Sequence, residues 1–256
     1  MILHVPGRGT LTKEESNRLF MITLEDDLED SPWMVMGSLQ WDATAAFQQS
    51  LHDFIRRSGR NWTVAGMMPI RYTWEGRPRK KQLAPDVFVA PVPERPRPSF
   101  DADNEGGFPP FVLEVVSPSS SERDQLDKRD AYELLGVREY ALFTPNADRA
   151  SILAGFRRNA GGTFEVWPSD ERGRLWSDVL SLYLVSQGLD IRAATPDGIL
   201  LPTIGEAIDA QRAAVEAQRA AVEAQRAAVE AQRAVARENE RLRAEIERMN
   251  PQPKDE

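Results

Sequence analysis

The stretch 109–136 holds the most informative pattern of apolar and polar positions in the chain. Residues 111–116 form an apolar run that contains one carboxylate, Glu114, and such a run is typical of a short buried strand. Ser121 and Asp124 have the spacing of a capping box, which predicts that a helix begins there. A charge inside a buried strand is costly unless it is paired or holds a metal. The predicted helix carries an apolar stripe that includes one lysine, at Lys128, Ala131, Tyr132 and Leu135.

Similar patterns predict the elements on either side of this stretch. A strand–helix–strand step implies a right-handed crossover between parallel strands. We therefore expect an α/β fold in which helices flank a mixed β-sheet, followed by an extension over 178–201. The predicted order is a helix from Thr12, a helix over 41–58, strands over 62–74 and 83–91, a loop over 91–110, the central strand and helix, a strand over 139–143 and a hairpin over 150–167.

The chain changes character after residue 203. The heptad AQRAAVE occurs three times in identical form over 210–230, and small residues at coiled-coil spacing predict a self-associating helix over 205–249. The alternative is a lone charged helix that alanine propensity and i,i+4 pairs stabilise. We expect three regions: a domain over 1–204, the heptad helix or coiled coil over 205–249, and a disordered tail over 250–256.

Composition excludes several classes of site. The 256 residues include no cysteine and two histidines, so disulfides, thiolate zinc sites and multi-histidine metal sites are excluded. No apolar run is long enough for a signal peptide or a membrane span, so we expect a cytoplasmic protein with no membrane partner. The net charge of −8 argues against a protein that coats duplex DNA generally. A local basic cluster remains compatible with phosphate contact, at Arg77, Arg79, Lys80 and Lys81.

The residues that carry chemistry are Asp86, Glu114 and Lys128, expected on two neighbouring strands and the adjoining helix. Two carboxylates, with the backbone carbonyl near Val115, are suitable ligands for Mg²⁺. A metal there lowers the pKa of bound water, and a nearby lysine orients that water and stabilises charge. This set predicts a metal-dependent phosphodiesterase. Two alternatives are a Glu114–Lys128 ion pair that only satisfies burial and a glycosidase carboxylate pair, which leaves the lysine without a role.

Four motifs together resemble the Uma-two family, a bacterial group of endonucleases with the restriction-endonuclease-like PD-(D/E)XK fold. The resemblance covers most of residues 10–205, and the tail is similar to the charged coiled-coil tails of many members. The motifs are Pro85-Asp86-Val-Phe-Val, Glu114-Val-Val-Ser117-Pro118, Asp124-x-x-x-Lys128-x-x-x-Tyr132 and Gly136-Val-Arg-Glu139-Tyr140.

The resemblance implies a site that binds Mg²⁺ or Mn²⁺ through Asp86 and Glu114. The lysine is displaced from the usual strand position, here Val116, onto the helix as Lys128. Tyr132, one turn further, is implied to position the lysine or a phosphate, and Asp124 to have a supporting role. One departure lies at residues 30–41. Members usually have a Gly-Glu turn and then a Ser-Pro-x-His motif, whereas this chain reads Asp30-Ser-Pro-Trp33 and Ser38-Leu-Gln40-Trp41 and lacks the histidine.

Two functions are therefore expected from the sequence. The first is Mg²⁺-dependent hydrolysis of DNA phosphodiester bonds, with Asp86 and Glu114 as ligands and Lys128 acting on the attacking water. The second is a nuclease-like binding or assembly module that has lost turnover and is multimerised by its coiled coil. In both cases the helix over 205–249 is expected to make the protein a homo-oligomer.

Overall fold

The computed structural model describes residues 4–5, 9–22, 24–25, 38–74, 80–116 and 122–249. The chain separates into two compact units, Met1–Ile204 and Gly205–Glu256. The predicted disordered tail, Ser117–Ser121 and the Asp30–Trp33 segment lie outside the described residues.

The first unit alternates helices and short strands. Its helices are α1 (Lys13–Ile22), α2 (Ser38–Arg57) and α3 (Glu122–Leu134). Its strands are β1 (His4–Val5), β2 (Gly9–Thr10), β3 (Leu24–Glu25), β4 (Thr63–Gly66), β5 (Ile70–Tyr72), β6 (Lys81–Leu83), β7 (Val87–Ala90), β8 (Phe100–Asp101), β9 (Phe111–Val115), β10 (Glu139–Thr144), β11 (Ile152–Arg158), β12 (Phe164–Val166), β13 (Leu175–Ser177), β14 (Leu182–Gln187) and β15 (Asp190–Ala194).

A mixed β-sheet organises this unit, as the sequence predicted. Among the described residues its strand order is β12-β11-β10-β9-β7-β4. Strands β9 and β10 are parallel and are joined through α3, whereas the other neighbours are antiparallel. Smaller sheets with the orders β3-β6-β5-β8, β13-β14-β15 and β1-β2 complete the described strands.

The two faces of β9 enter different parts of the core because side chains alternate along a strand. Phe111, Leu113 and Val115 belong to the apolar cluster that includes the buried residues of α2. Val112 belongs to the other cluster, which contains Tyr132 of α3. Glu114 shares the parity of Val112, so its side chain is directed to the face that α3 covers.

Local signals correctly predicted the start of α1 and the end of α3, whereas α2 begins at Ser38, three residues before the predicted start. At the start of α1, the backbone N–H of Thr12 donates to Glu15 Oε2 at 2.7 Å, and the N–H of Glu15 donates to Thr12 Oγ1 at 3.2 Å. This reciprocal pair is a capping box. Gly136 follows the end of α3 with φ +89°, the left-handed conformation that favours glycine there.

Two strand predictions are corrected. The strand predicted over 62–74 is divided into β4 and β5, and the one predicted over 83–91 is a strand only from Val87 to Ala90, with Leu83 ending β6. Strand β4 pairs with β7 in the main sheet, whereas β5 pairs with β6 in the four-stranded sheet. Between β4 and β5, Met67 has φ +54° and its N–H donates to the carbonyls of Pro85 and Asp86. The left-handed Met67 and the nearby Pro69 interrupt strand pairing, so the chain passes from the main sheet to the four-stranded sheet at this point. In the second segment, β7 starts directly after Asp86.

The second unit contains one continuous helix, α4 (Ile204–Met249). Its apolar side chains are largely exposed. Within the part of the chain that the structure describes, no helix is both long and apolar enough to cross a membrane.

The buried face of α2 gives a stability prediction. Leu51 is fully buried, whereas Gln49 of the same helix is exposed. We expect Leu51→Ala to lower the free energy of unfolding by about 2–5 kcal/mol through lost burial and a residual cavity. Gln49→Ala, the matched control, should change it by less than about 0.5 kcal/mol. Urea unfolding followed by tryptophan fluorescence measures both, and equal stability of the two variants would contradict this account of the core.

Candidate active site

The antiparallel pairing of β7 with β9 brings the two predicted carboxylates together. Val87 pairs with Leu113 in this register, so the preceding Asp86 is opposite the following Glu114. Oδ2 of Asp86 accepts a hydrogen bond from the backbone N–H of Val115 at 2.6 Å. The end of β9 therefore supplies one carboxylate and also fixes the orientation of the other.

Helix α3 holds the Glu114 carboxylate from the side. Lys128 Nζ donates to Glu114 Oε2 at 3.0 Å, and the Tyr132 hydroxyl donates to Glu114 Oε1 at 2.6 Å. Lys128 and Tyr132 are one turn apart, so both face the same strand. Glu114 is 4% exposed and Tyr132 fully buried. Hydrogen bonds to an ionised, buried carboxylate are strong, and these two bonds satisfy a charge that the strand would otherwise bury unpaired.

The electrostatics of the pair favour a proton or a cation between the carboxylates. Burial raises the pKa of the Asp86 carboxyl to about 8, and the neighbouring Glu114 carboxylate adds to this rise. The Val115 N–H and the Lys128 ammonium oppose it. Burial and then Glu114 raise the pKa of Tyr132 well above its ordinary value, so the tyrosine remains a protonated donor.

The side chains present fit a hard divalent ion such as Mg²⁺ or Mn²⁺. Once Asp86 gives up its proton, the two carboxylates carry two negative charges against the one positive charge of Lys128, and carboxylate oxygens are the ligands that Mg²⁺ prefers. Each carboxylate oxygen has a further lone pair beyond the hydrogen bond described. Within the described residues no group of three or more His, Asp or Glu side chains is placed to hold a metal, so the remaining ligands would come from backbone, water or substrate.

The structure changes the role implied for Tyr132. Its hydroxyl contacts Glu114, so it positions that carboxylate rather than Lys128 or a phosphate. Asp124 lies in α3, but its side chain is outside the described set, and its supporting role stays a prediction. The same holds for the Val115 carbonyl as a metal ligand, since the contact described for Val115 is made by its N–H.

The predicted phosphate-binding cluster is only partly described. Arg77 and Arg79 lie outside the described residues. Lys80 Nζ is 2.7 Å from Asp101 Oδ1 and 3.0 Å from Asp103 Oδ2, and Lys81 is buried. Phosphate contact by this cluster stays a prediction, and for Lys80 it would require these two ion pairs to open.

Sequence reasoning missed the role of Gly66. A Cβ at this position would meet the side-chain amide oxygen of Gln48 and, at 3.2 Å, the carbonyl of Asp86. The close approach of β4, α2 and the Asp86 backbone therefore needs a residue without a side chain. The available signal was a glycine inside a predicted strand, which often marks such an approach.

Glu139, a residue of the fourth motif, lies at the opposite end of the parallel strands β9 and β10 from Glu114. It begins β10 and pairs with Phe111 at the start of β9. Its buried carboxylate accepts hydrogen bonds from the Ser177 hydroxyl and the Asp178 N–H. Burial raises its pKa. This carboxylate ties β10 to the three-stranded sheet and is separate from the Asp86–Glu114 pair.

Comparison with known proteins identifies the family of this chain. The model of the Uma2 family, described as "Putative restriction endonuclease", matches residues 32–193, a range that contains Asp86, Glu114 and Lys128. The chain belongs to the Uma2 family. The family match and the mixed sheet confirm the restriction-endonuclease-like fold that the sequence predicted.

Among solved structures, one that is similar is described as a putative nuclease belonging to DUF820 from Anabaena variabilis ATCC 29413. It is 12% identical, with a TM-score of 0.42, over 57% of this chain and 76% of that one. No curated protein matches this Uma2 chain.

The raised pKa of Asp86 predicts how stability changes with pH. The folded pKa of about 8 exceeds the ordinary value of 3.8, so folding favours the protonated carboxyl. The stabilisation that the protonated Asp86 carboxyl gives to the folded state is complete below about pH 4 and is lost as pH rises towards 8. Over that range the free energy of unfolding falls by at most about 1.4 kcal/mol per pH unit. In a buffer that contains a metal chelator, we expect the free energy of unfolding of the wild-type protein to decrease between pH 5 and 8.

The matched variants for this measurement are Asp86→Asn and Asp148→Asn. The amide of Asp86→Asn does not titrate, so the slope of unfolding free energy against pH should be smaller than in wild type. Asp148 is exposed, and its variant should keep the wild-type slope. Urea unfolding at several pH values gives all three slopes, and identical slopes for Asp86→Asn and wild type would contradict the burial of this carboxyl.

Proposed function

We propose that this Uma2 protein is a divalent-metal-dependent endonuclease that hydrolyses DNA phosphodiester bonds. The observation that carries the proposal is the convergence of Asp86, Glu114 and Lys128, which lie directly before β7, in β9 and in α3. Lys128 Nζ lies 3.0 Å from Glu114, and the β7–β9 register places Asp86 opposite Glu114. The family description supports nuclease chemistry, and DNA as the substrate is part of our proposal.

Asp86 and Glu114 would hold the ion, which supplies Lewis acidity that lowers the pKa of water and offsets phosphate charge. Tyr132 keeps the Glu114 carboxylate in one orientation, and the Val115 N–H does the same for Asp86. Such preorganisation avoids reorganisation of the site during the reaction.

Lys128 has the position to act on both water and phosphate. Its side chain is 27% exposed although the carboxylate beside it is buried, so the ammonium connects the interior of the site with solvent. An ammonium has three donors and no acceptor. One donor is used by Glu114, and in the proposed mechanism the ammonium also orients the attacking water or contacts a phosphate oxygen. The attacking water would lose a proton to solvent as its oxygen bonds to phosphorus, and the leaving oxygen would take up a proton as its bond to phosphorus breaks. The positive charge of Lys128 would stabilise the negative charge that develops on the phosphate.

A second candidate function is a nuclease-like binding module without turnover. The observation that favours it is the completeness of the Glu114 contacts, since Lys128 and Tyr132 each donate to one of its oxygens. A carboxylate satisfied in this way does not need a metal for burial. In this case α4 would provide the main function, which is assembly.

We further propose that α4 makes the protein a homo-oligomer through residues 205–249, as its heptads indicate. A cytoplasmic location is consistent with DNA as the substrate and is part of the same proposal.

Plasmid nicking tests the catalytic proposal. With Mg²⁺ or Mn²⁺, we expect wild type to convert supercoiled plasmid to open-circular and linear forms. Lys128→Ala should lower the rate by roughly 100-fold, because a preorganised charge-stabilising donor is removed, and Asp86→Asn should lower it at least as much. Lys13 is an exposed lysine on α1, so Lys13→Ala should retain the wild-type rate. Equal nicking by all four proteins would show a contaminating nuclease and reject the assignment.

Metal titration by calorimetry separates the two candidate functions. We expect wild type to bind Mn²⁺ at one site and Asp86→Asn to lose that binding, because one of the two carboxylate ligands becomes a neutral amide. Asp148→Asn should bind as wild type does. Absence of saturable binding to wild type would reject the metal-dependent mechanism and leave the binding module.

A further inference from the structure

Helix α4 contains a coiled-coil register that is longer than its alanine-rich repeat. Alternating steps of three and four residues from Ile204 to Met249 select two sets of positions, which are the a and d positions of a coiled coil. The a positions are Ile204, Gln211, Gln218, Gln225, Gln232, Asn239 and Ile246. The d positions are Ala207, Ala214, Ala221, Ala228, Val235, Leu242 and Met249. This register runs through the whole helix without an insertion or a shift.

The positions outside the seam agree with this register. In the three identical heptads, Arg and Glu fall at b and f, on the side of the helix away from the seam. The e positions extend the apolar stripe with Ile208, Val215, Val222 and Val229. In the last heptads the seam becomes more apolar, and Leu242, Ile246 and Met249 are 48%, 65% and 80% exposed. A stripe of this length is suited to a second helix with the same spacing.

We infer that α4 pairs with α4 of a second copy as a parallel, in-register, two-stranded coiled coil. The amides decide the direction. In a parallel pair each a position faces itself, so Gln faces Gln, Asn239 faces Asn239, and the apolar C-terminal layers pack together. In a fully overlapping antiparallel pair Asn239 would face the region of Ala214, and Leu242 would face Gln211. The glutamine layers recur every seven residues, so the register is selected by the single Asn239 layer, and an asparagine at one a position also favours two strands.

Charge complementarity supports the same direction. Glu238 is at g and Arg243 is at e of the following heptad, which is the pair of positions that meet between helices in a parallel coiled coil. Both copies form this contact, one on each side of the seam. Reversing one helix removes it, because g then meets g and e meets e.

The direction matters for the proposed function. At 1.5 Å per residue, a helix of 46 residues is about 69 Å long. Parallel pairing brings the two copies of Ile204 side by side, so two nuclease units are tethered at one end of the coil, which would allow one dimer to cut both strands of a duplex. This consequence rests on the proposed nuclease activity, whereas the pairing itself does not.

Cysteine cross-linking of the full chain tests the register, because the chain contains no cysteine of its own. Val235→Cys and Ala221→Cys place a thiol at d, where parallel copies come within disulfide distance. Ala244→Cys places a thiol at f, on the outside, as the matched control. Under mild oxidation without metal or DNA, we expect most of both d variants to become covalent dimers and Ala244→Cys to stay uncrosslinked.

Mixing the two d variants tests the register further. The two positions are 14 residues apart along the helix, about 21 Å, so mixed dimers between them should not form. Mixed dimers would show a slipped register and overturn the inference. If sedimentation shows a dimer and neither d variant forms a covalent dimer, the parallel, in-register pairing is overturned.

Sedimentation of the wild-type full chain measures the number of copies. We expect a dimer, and we expect the double substitution Leu242→Glu and Ile246→Glu to give a monomer, because four carboxylates would then meet in the seam. A monomeric or trimeric wild type would overturn the inference. Plasmid nicking by the same samples reports separately on the catalytic proposal, so failure of one is distinguishable from failure of the other.

Discussion

The burial of one carboxylate in a central strand determines how this molecule is built around its site. Glu114 lies in β9, whose neighbouring residues are all buried, and an unpaired charge there would cost several kcal/mol. Its two oxygens are satisfied by Lys128 and Tyr132 from the same face of α3. The crossover that joins β9 to β10 is therefore fixed to the sheet by packing and by the charge that it neutralises.

The same arrangement creates an electrostatic conflict beside it. Asp86 is held opposite Glu114 by the Val115 N–H, and the proximity of the two carboxylates contributes to its pKa of about 8. A structure selected only for stability would place an apolar residue here, since a buried charged cluster often stabilises less than apolar packing. Perturbed ionisable groups of this kind are concentrated at functional sites, and the proposed divalent ion would relieve the repulsion.

The proposed seam of α4 offers far less apolar surface for burial than the core of the first unit does. Apolar burial stabilises the first unit, whereas alanine buries little area in the proposed seam of α4 and would contribute little to association. Glutamine and asparagine in that seam would lower stability but favour the parallel direction. A slip by one heptad leaves glutamine opposite glutamine in the repeated part, so the register would be set by Asn239 and by the apolar residues at the C-terminal end.

The sequence alone determined the α/β class, α3, the parallel β9–β10 step and the candidacy of Glu114 and Lys128, because local patterns of burial and charge carry this information. It did not show that β4 and β5 belong to different sheets. That division depends on the left-handed Met67 and on pairing with strands that are distant in sequence. The contact of Tyr132 with Glu114 and the position of Asp86 opposite it were decided only by the tertiary structure, since strand register and the placement of α3 are set by the assembled core.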